Sequence, residues 1–192
     1  MNSLNEEIKK MISESADIIL KSKTISEQIE QAINEIVNCL KKGNKIIIFG
    51  NGGSAADAQH IAAELIGRFQ MERNSLPAIS LTTDSSIITS LGNDYSFDVI
   101  FSRQCESIVS KDDIVIGIST SGNSKNVENG IITSKKKGAT TIGLLGEGGG
   151  IIKKIVDISI EIPSKNTAHI QEGHRVIYHV ICDNVEKKIF NK

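Results

Sequence analysis

The chain has 192 residues, with 22 Lys and Arg against 23 Asp and Glu, giving a net charge of −1 and a sequence pI near 6.4. Hydrophobic residues at 39% and charged residues at 23% are the balance of a globular chain long enough to bury a core, which makes one domain over residues 1–192 the expectation. Near-neutrality excludes affinity resting on a basic patch, and 4% aromatics without Trp exclude a base-stacking surface, so no nucleic-acid partner is expected.

Residues 1–43 read as a helical extension that packs on the rest. Ile8, Ile12, Ile18 and Ile19, then Ile25, Ile29, Ile33, Ile36, Val37 and Leu40, recur near helical spacing. Thr24-Ile25-Ser26-Glu27 predicts a capping box that restarts the chain as a second helix, and Lys41-Lys42-Gly43 supplies a cationic end and a Gly stop. Short β-branched runs then alternate with helical stretches. Strands are predicted at Lys45–Phe49, Ala78–Leu81, Ile114–Ile118, Thr140–Leu145 and Ile158–Ile162. All but the last are continuous apolar runs, as strands buried on both faces require. Helices are predicted at Ser54–Gln70, Ser85–Leu91, Phe97–Ile108, Ser124–Lys137 and Thr167–Ile189. This alternation predicts an α/β fold, a three-layer sandwich around a five-stranded parallel sheet, with N-terminal helices and a long C-terminal one.

Cys39, Cys105 and Cys182 are odd in number, far apart and form no CxxC, which fits small core residues in a reducing compartment. The first residues carry no basic region followed by an apolar one, and no apolar run is long enough to cross a bilayer. A cytoplasmic location without membrane association is therefore expected.

In a parallel sheet of this kind, ligands bind beyond the carboxyl ends of the strands. After the first strand comes Gly50-Asn51-Gly52-Gly53-Ser54-Ala55-Ala56-Asp57. Its glycines allow a sharp turn, Ser54 with Asp57 reads as a capping box, and the helix behind presents N–H groups to an anion or sugar hydroxyl. It lacks the Gly-Lys-Ser/Thr of a P-loop, and a turn used only for packing is the alternative. After the third strand comes Gly117-Ile118-Ser119-Thr120-Ser121-Gly122-Asn123-Ser124. Its hydroxyls and the following helix N-terminus suit one phosphate held by neutral hydrogen bonds, as a handle and not as a group to transfer. Gly146-Glu147-Gly148-Gly149-Gly150 either lines the same crevice or is a flexible connector.

His60 and Glu64 stand four residues apart, on one helix face. Such a pair grips a divalent ion, acts as a base with its partner, or is only a surface ion pair. The last helix adds Gln171, His174 and His179. Gln171 and His179 are about 12 Å apart along a regular helix, so both reach one ion only by leaning together or across a subunit boundary.

The segments from Gly50 to His60, Glu64 to Phe69, Leu76 to Asp84, Leu91 to Tyr95, Gly117 to Ser124 and Ile170 to His179 together resemble the phosphoheptose isomerases of the sugar isomerase (SIS) fold. The resemblance covers nearly the whole chain and implies a flavodoxin-like parallel sheet. It implies conversion of sedoheptulose 7-phosphate to D-glycero-D-manno-heptose 7-phosphate, the first step toward nucleotide-activated heptose for surface glycans such as lipopolysaccharide. It implies one zinc ion held by His60, Glu64, Gln171 and His179, with Glu64 as general base and His179 as general acid. Substrate contacts are implied at Asn51, Gly52, Gly53, Asn93, Asp94, Ser119, Thr120, Ser121, Ser124 and Gln171. A homotetramer with sites at subunit interfaces is implied too. One departure is His169, where the family usually carries Arg, which places one substrate or interface contact in question. The rival readings are a non-catalytic protein of the same fold, such as the DnaA initiator-associating protein, and a sugar-phosphate-sensing regulator. Against the first stand the four metal-ligand residues; against the second, the lack of room for a DNA-binding domain.

Overall fold

The computed structural model describes residues 3–190. The first helix, α1 (Leu4–Lys21), opens at Ser3, whose Oγ accepts from the Glu6 backbone N–H at 3.3 Å. Before α2 (Ser26–Lys41) the chain does not break; Ser22–Ile25 tighten into a single 3-10 turn. The capping box expected at Thr24 is not formed. The Thr24 hydroxyl donates back to the Lys21 carbonyl at 2.9 Å, and no side chain caps α2. The two helices differ in burial: α2 buries Ile29, Ala32, Ile33, Ile36, Val37 and Cys39, whereas α1 buries nothing. Gly43, at φ +82°, ends α2 as predicted.

The sheet comprises β1 (Ile46–Gly50), β2 (Ala78–Ser80), β3 (Ile114–Ser119), β4 (Thr140–Leu145) and β5 (Ile158–Glu161). Every pairing is parallel, in the order β2-β1-β3-β4-β5. Each predicted strand is found to within a residue at either end. Central strands β1 and β3 are buried throughout, while β5 alternates, as its sequence predicts. Strand β2 departs from the expected continuous burial: Ile79 is 38% exposed, because β2 is the other edge of the sheet.

The remaining helices are α3 (Gly53–Ile66), α4 (Ser85–Asp94), α5 (Ser102–Ile108), α6 (Lys125–Lys136) and α7 (Thr167–Phe190). Helix α3 stops four residues short of the expected Gln70, because Gly67 turns out of the helix at ψ −97°. The helix expected over 97–108 is divided into a 3-10 turn, Phe97–Val99, and α5, with Ile100 and Phe101 buried between them. Helices α2, α3 and α7 cover the sheet face carrying Ile46, Ile48 and Ile116. Helices α5 and α6, with part of α4, cover the face carrying Ile47, Phe49 and Val115. Because β1 and β3 are neighbours while α3 and α6 leave to opposite faces, a crevice opens beyond their carboxyl ends. Among the described residues, no helix is long and apolar enough to cross a membrane.

Candidate functional site

Both glycine-bearing loops stand at this crevice, and their amides tie them together. Asn51, after β1, and Asn126, in the first turn of α6, exchange reciprocal side-chain hydrogen bonds at 2.9 and 2.8 Å. Gly52 takes φ +55°, a conformation that strains residues with a Cβ. At Gly53 the Gln171 side chain lies directly over the backbone, where a Cβ would displace it. Gly50 and Gly117 serve packing instead. Their backbones lie against Ser54 with the Ile118 carbonyl, and against Val127 with Ile131, respectively.

The expected cap by Ser54 and Asp57 is not made. The N–H groups of Ser54 and Ala55 go to the carbonyls of Asn51 and Gly52, so this helix end offers fewer donors than the sequence suggests. Asp57 is instead buried, accepting from Tyr178 and Arg175 of α7. The second loop fits an anion better. The Ser119 and Ser124 hydroxyls lie 2.9 Å apart, Thr120 and Ser121 flank them, and no side chain caps the N-terminus of α6. The Gly146–Gly150 segment packs directly on this loop. Ile152 N–H reaches the Gly122 carbonyl at 3.0 Å, Ile151 N–H reaches Asn123 Oδ1 at 3.1 Å, and Gly122 at φ +65° abuts Gly149. It lines the crevice as a fixed wall.

Between α3 and α7 the structure gathers His60, Glu64 and His179, with one ligand atom of each within 4.8 Å of the others. His60 Nε2 lies 2.8 Å from Glu64 Oε1, and the side chains are 39% and 21% exposed, so solvent reaches the cluster. Two imidazoles and a carboxylate are the donor set of a zinc site, leaving a further position open. Burial, and then the neighbouring His60, push His179 below the ordinary imidazole range, which favours the neutral form that ligates metal. Phe69 stacks on the His179 ring at 5.6 Å. Gln171 does not join the cluster; it lies over Gly53, two turns of α7 away. Asn93 and Asp94 end α4 on the surface, Asn93 donating to Asp94 at 2.8 Å, and they make no described contact with the cluster or the Ser/Thr loop. His169 is half-buried at the start of α7.

His174 is a core residue, not part of the site: it is fully buried, with Nε2 3.0 Å from the Leu145 carbonyl. Sequence reasoning missed the polar frame behind the cluster. Tyr178 contacts His60 Nδ1 at 3.0 Å, and Arg73 with Glu186 binds the loop after α3 to α7. Glu186 falls on the buried side of α7 beside Val185, and a carboxylate within an apolar stripe signals a buried partner.

Fold and crevice together define a SIS-domain protein, and the SIS domain family matches residues 10–146. Over 156 residues the chain is 55% identical to the phosphoheptose isomerase of Pelobacter propionicus, covering 81% of this chain and 82% of that protein. The phosphoheptose isomerase structure from Francisella tularensis matches with a TM-score of 0.93 at 36% identity, covering 97% of this chain and all of that one. The corresponding structure from Neisseria gonorrhoeae matches at 0.91 and 38% identity, covering 96% and 100%. The chain belongs to the phosphoheptose isomerase family.

Proposed function

We propose that this protein is an aldose–ketose isomerase converting sedoheptulose 7-phosphate to D-glycero-D-manno-heptose 7-phosphate. The observation carrying this reading is the His60–Glu64–His179 cluster on α3 and α7, in a chain of this family whose Ser119–Ser124 loop suits a phosphate. His60, Glu64 and His179 would hold one divalent ion, zinc by donor type, with Gln171 contributed from a neighbouring subunit. Such an ion, when bound, polarises the two substrate oxygens. Ser119, Thr120, Ser121 and Ser124 hold the phosphate as a handle, while Asn51, Gly52, Gly53, Asn93, Asp94 and Gln171 contact the sugar. Glu64 removes a proton from C1 of the ketose while the C2 oxygen gains one, giving the enediol; loss of the O1 proton then forms the carbonyl at C1 as a proton returns to C2, yielding the aldose. We assign His179 as the acid that supplies that proton. Glu64→Gln should slow solvent-deuterium exchange into C1 by about 100-fold or more while phosphate-dependent binding persists. Retained exchange would remove Glu64 from the base role.

The position of Gln171 away from the cluster supports a homotetramer with shared sites, as does the exposure of Leu4, Ile8, Met11 and Ile12 along α1. Sedimentation equilibrium should give four times the chain mass; a monomer would contradict it. Three buried thiols, all free, support action in a reducing cytoplasm. We place the reaction as the first step toward activated heptose for surface glycans. The ligand cluster weighs against a binding-only protein of the same fold.

A further inference from the structure

Tyr178 is buried between α3 and α7, with its hydroxyl among three partners. The oxygen lies 3.0 Å from His60 Nδ1 and 3.4 Å from Asp57 Oδ1, and it accepts from Arg175 Nε at 3.2 Å. Arg175 Nη2 also donates to Asp57 Oδ1 at 3.2 Å. A phenol has one proton to give, a guanidinium only donates, and an ionised carboxylate only accepts.

Two proton arrangements satisfy these contacts. In the first, Tyr178 O–H points to His60 Nδ1, so the imidazole proton sits on Nε2 and is donated to Glu64 Oε1 at 2.8 Å. In the second, Tyr178 O–H turns to Asp57 and its oxygen accepts from His60 Nδ1–H. Nε2 then presents a bare lone pair toward a carboxylate oxygen, which is repulsive unless a cation lies between them. Only the second arrangement presents Nε2 as a metal ligand. It requires both an acceptor for Nδ1–H and a second acceptor for the phenol, and Asp57 is the only such acceptor among the contacts described for that hydroxyl.

We propose that Tyr178 is a hydroxyl switch that sets the tautomer of His60, with Asp57 as its second acceptor. The hydroxyl serves Nδ1 when Nε2 carries the proton, and swings to Asp57 when Nε2 ligates a divalent cation. The imidazole keeps one proton and stays neutral in both arrangements. Tyr178 and Asp57 are thus positioning residues for metal uptake. The inference rests on the reading of His60 as a ligand and deepens it. It also accounts for a buried carboxylate, 1% exposed, in the first turns of a helix it does not cap.

The test uses the full-length protein with ring-15N histidine, at a pH where imidazole is neutral, first treated with chelator and then supplied with zinc. Wild type should show His60 protonated at Nε2 with chelator and at Nδ1 with zinc. By competition against a chelating dye, Tyr178→Phe should bind zinc about 10-fold to 100-fold more weakly, since Nδ1–H loses its acceptor. Asp57→Asn should cost less alone and nothing further in the Tyr178→Phe background, because it acts through the phenol. A purely structural role would lower unfolding stability but leave zinc affinity and the tautomer unmoved. An unchanged His60 tautomer in wild type, or Tyr178→Phe binding zinc as tightly as wild type, would overturn the switch. Wild type that binds no zinc would overturn the metal reading and the switch with it. The wild-type spectra stand even if a variant fails to fold.

Discussion

His174 is fully buried, and because a carbonyl only accepts, its Nε2 must carry the proton given to Leu145 at 3.0 Å. Among the described residues Nδ1 has no hydrogen-bond partner. Burial pushes its pKa down from 6.5 to about 4. Between those values the unfolded chain binds a proton that the folded chain refuses, so stability falls as pH drops through that window, by about 3 kcal/mol at the limit. Urea unfolding across the window should show this decline, and His174→Gln should flatten it; an unchanged slope would show that other groups carry it. The sequence lists His174 and His179 alike, because spacing on a helix does not reveal which face meets the sheet. The cysteines were easier to read. Cys39, Cys105 and Cys182 are all buried, and burial raises their thiols to about 11, about 11 and about 12.

Helices α3 and α7 carry the His60–Glu64–His179 cluster, and the segment following α3 locks them together. Glu186 of α7 accepts from the backbone N–H groups of Phe69, Gln70 and Met71 and from Arg73 Nε, at 2.8–3.1 Å. Arg73 in turn donates to the carbonyls of Glu64 and Leu65 at 2.7 Å. Burial alone would raise the Glu186 pKa, but these donors outweigh it and hold the carboxyl below its usual range. Its stabilisation is therefore present at neutral pH and lost as pH falls below the ordinary carboxylate range. Since the same segment carries Phe69, stacked on His179, the clamp also fixes one side of the cluster. Removing one partner of a buried ion pair typically costs about 3–5 kcal/mol. Glu186→Gln, which keeps one acceptor oxygen, should lose about 3 kcal/mol in urea unfolding at neutral pH, and a loss under about 1 kcal/mol would contradict the clamp. Sequence periodicity ran α3 on to Gln70, because it does not register that Gly67 leaves the helix so that Glu186 can collect those three N–H groups.

At the scale of the molecule, the β-branched runs make the sheet legible: strands buried on both faces leave a signal that few other structures produce. The two glycine-bearing loops are legible as turns for a related reason, since Gly52, Gly53 and Gly122 stand where backbone turns sharply or approaches another chain segment closely. Long-range polar partners were not legible. Asp57 reads locally as a cap, and only the packing of α7 on α3 reveals Arg175 and Tyr178, 118 and 121 residues away. Near-neutral charge is explained at this scale as well, since hydroxyls, amides and a helix end at the Ser119–Ser124 loop suit an anionic sugar without a basic excess. The most direct measurement of the central claim is to strip the protein with chelator, restore zinc to half, and incubate both with sedoheptulose 7-phosphate. The zinc-restored sample should form the aldose 7-phosphate and the stripped one should not, while no aldose from either would contradict isomerase function and point to a protein that only binds sugar phosphate.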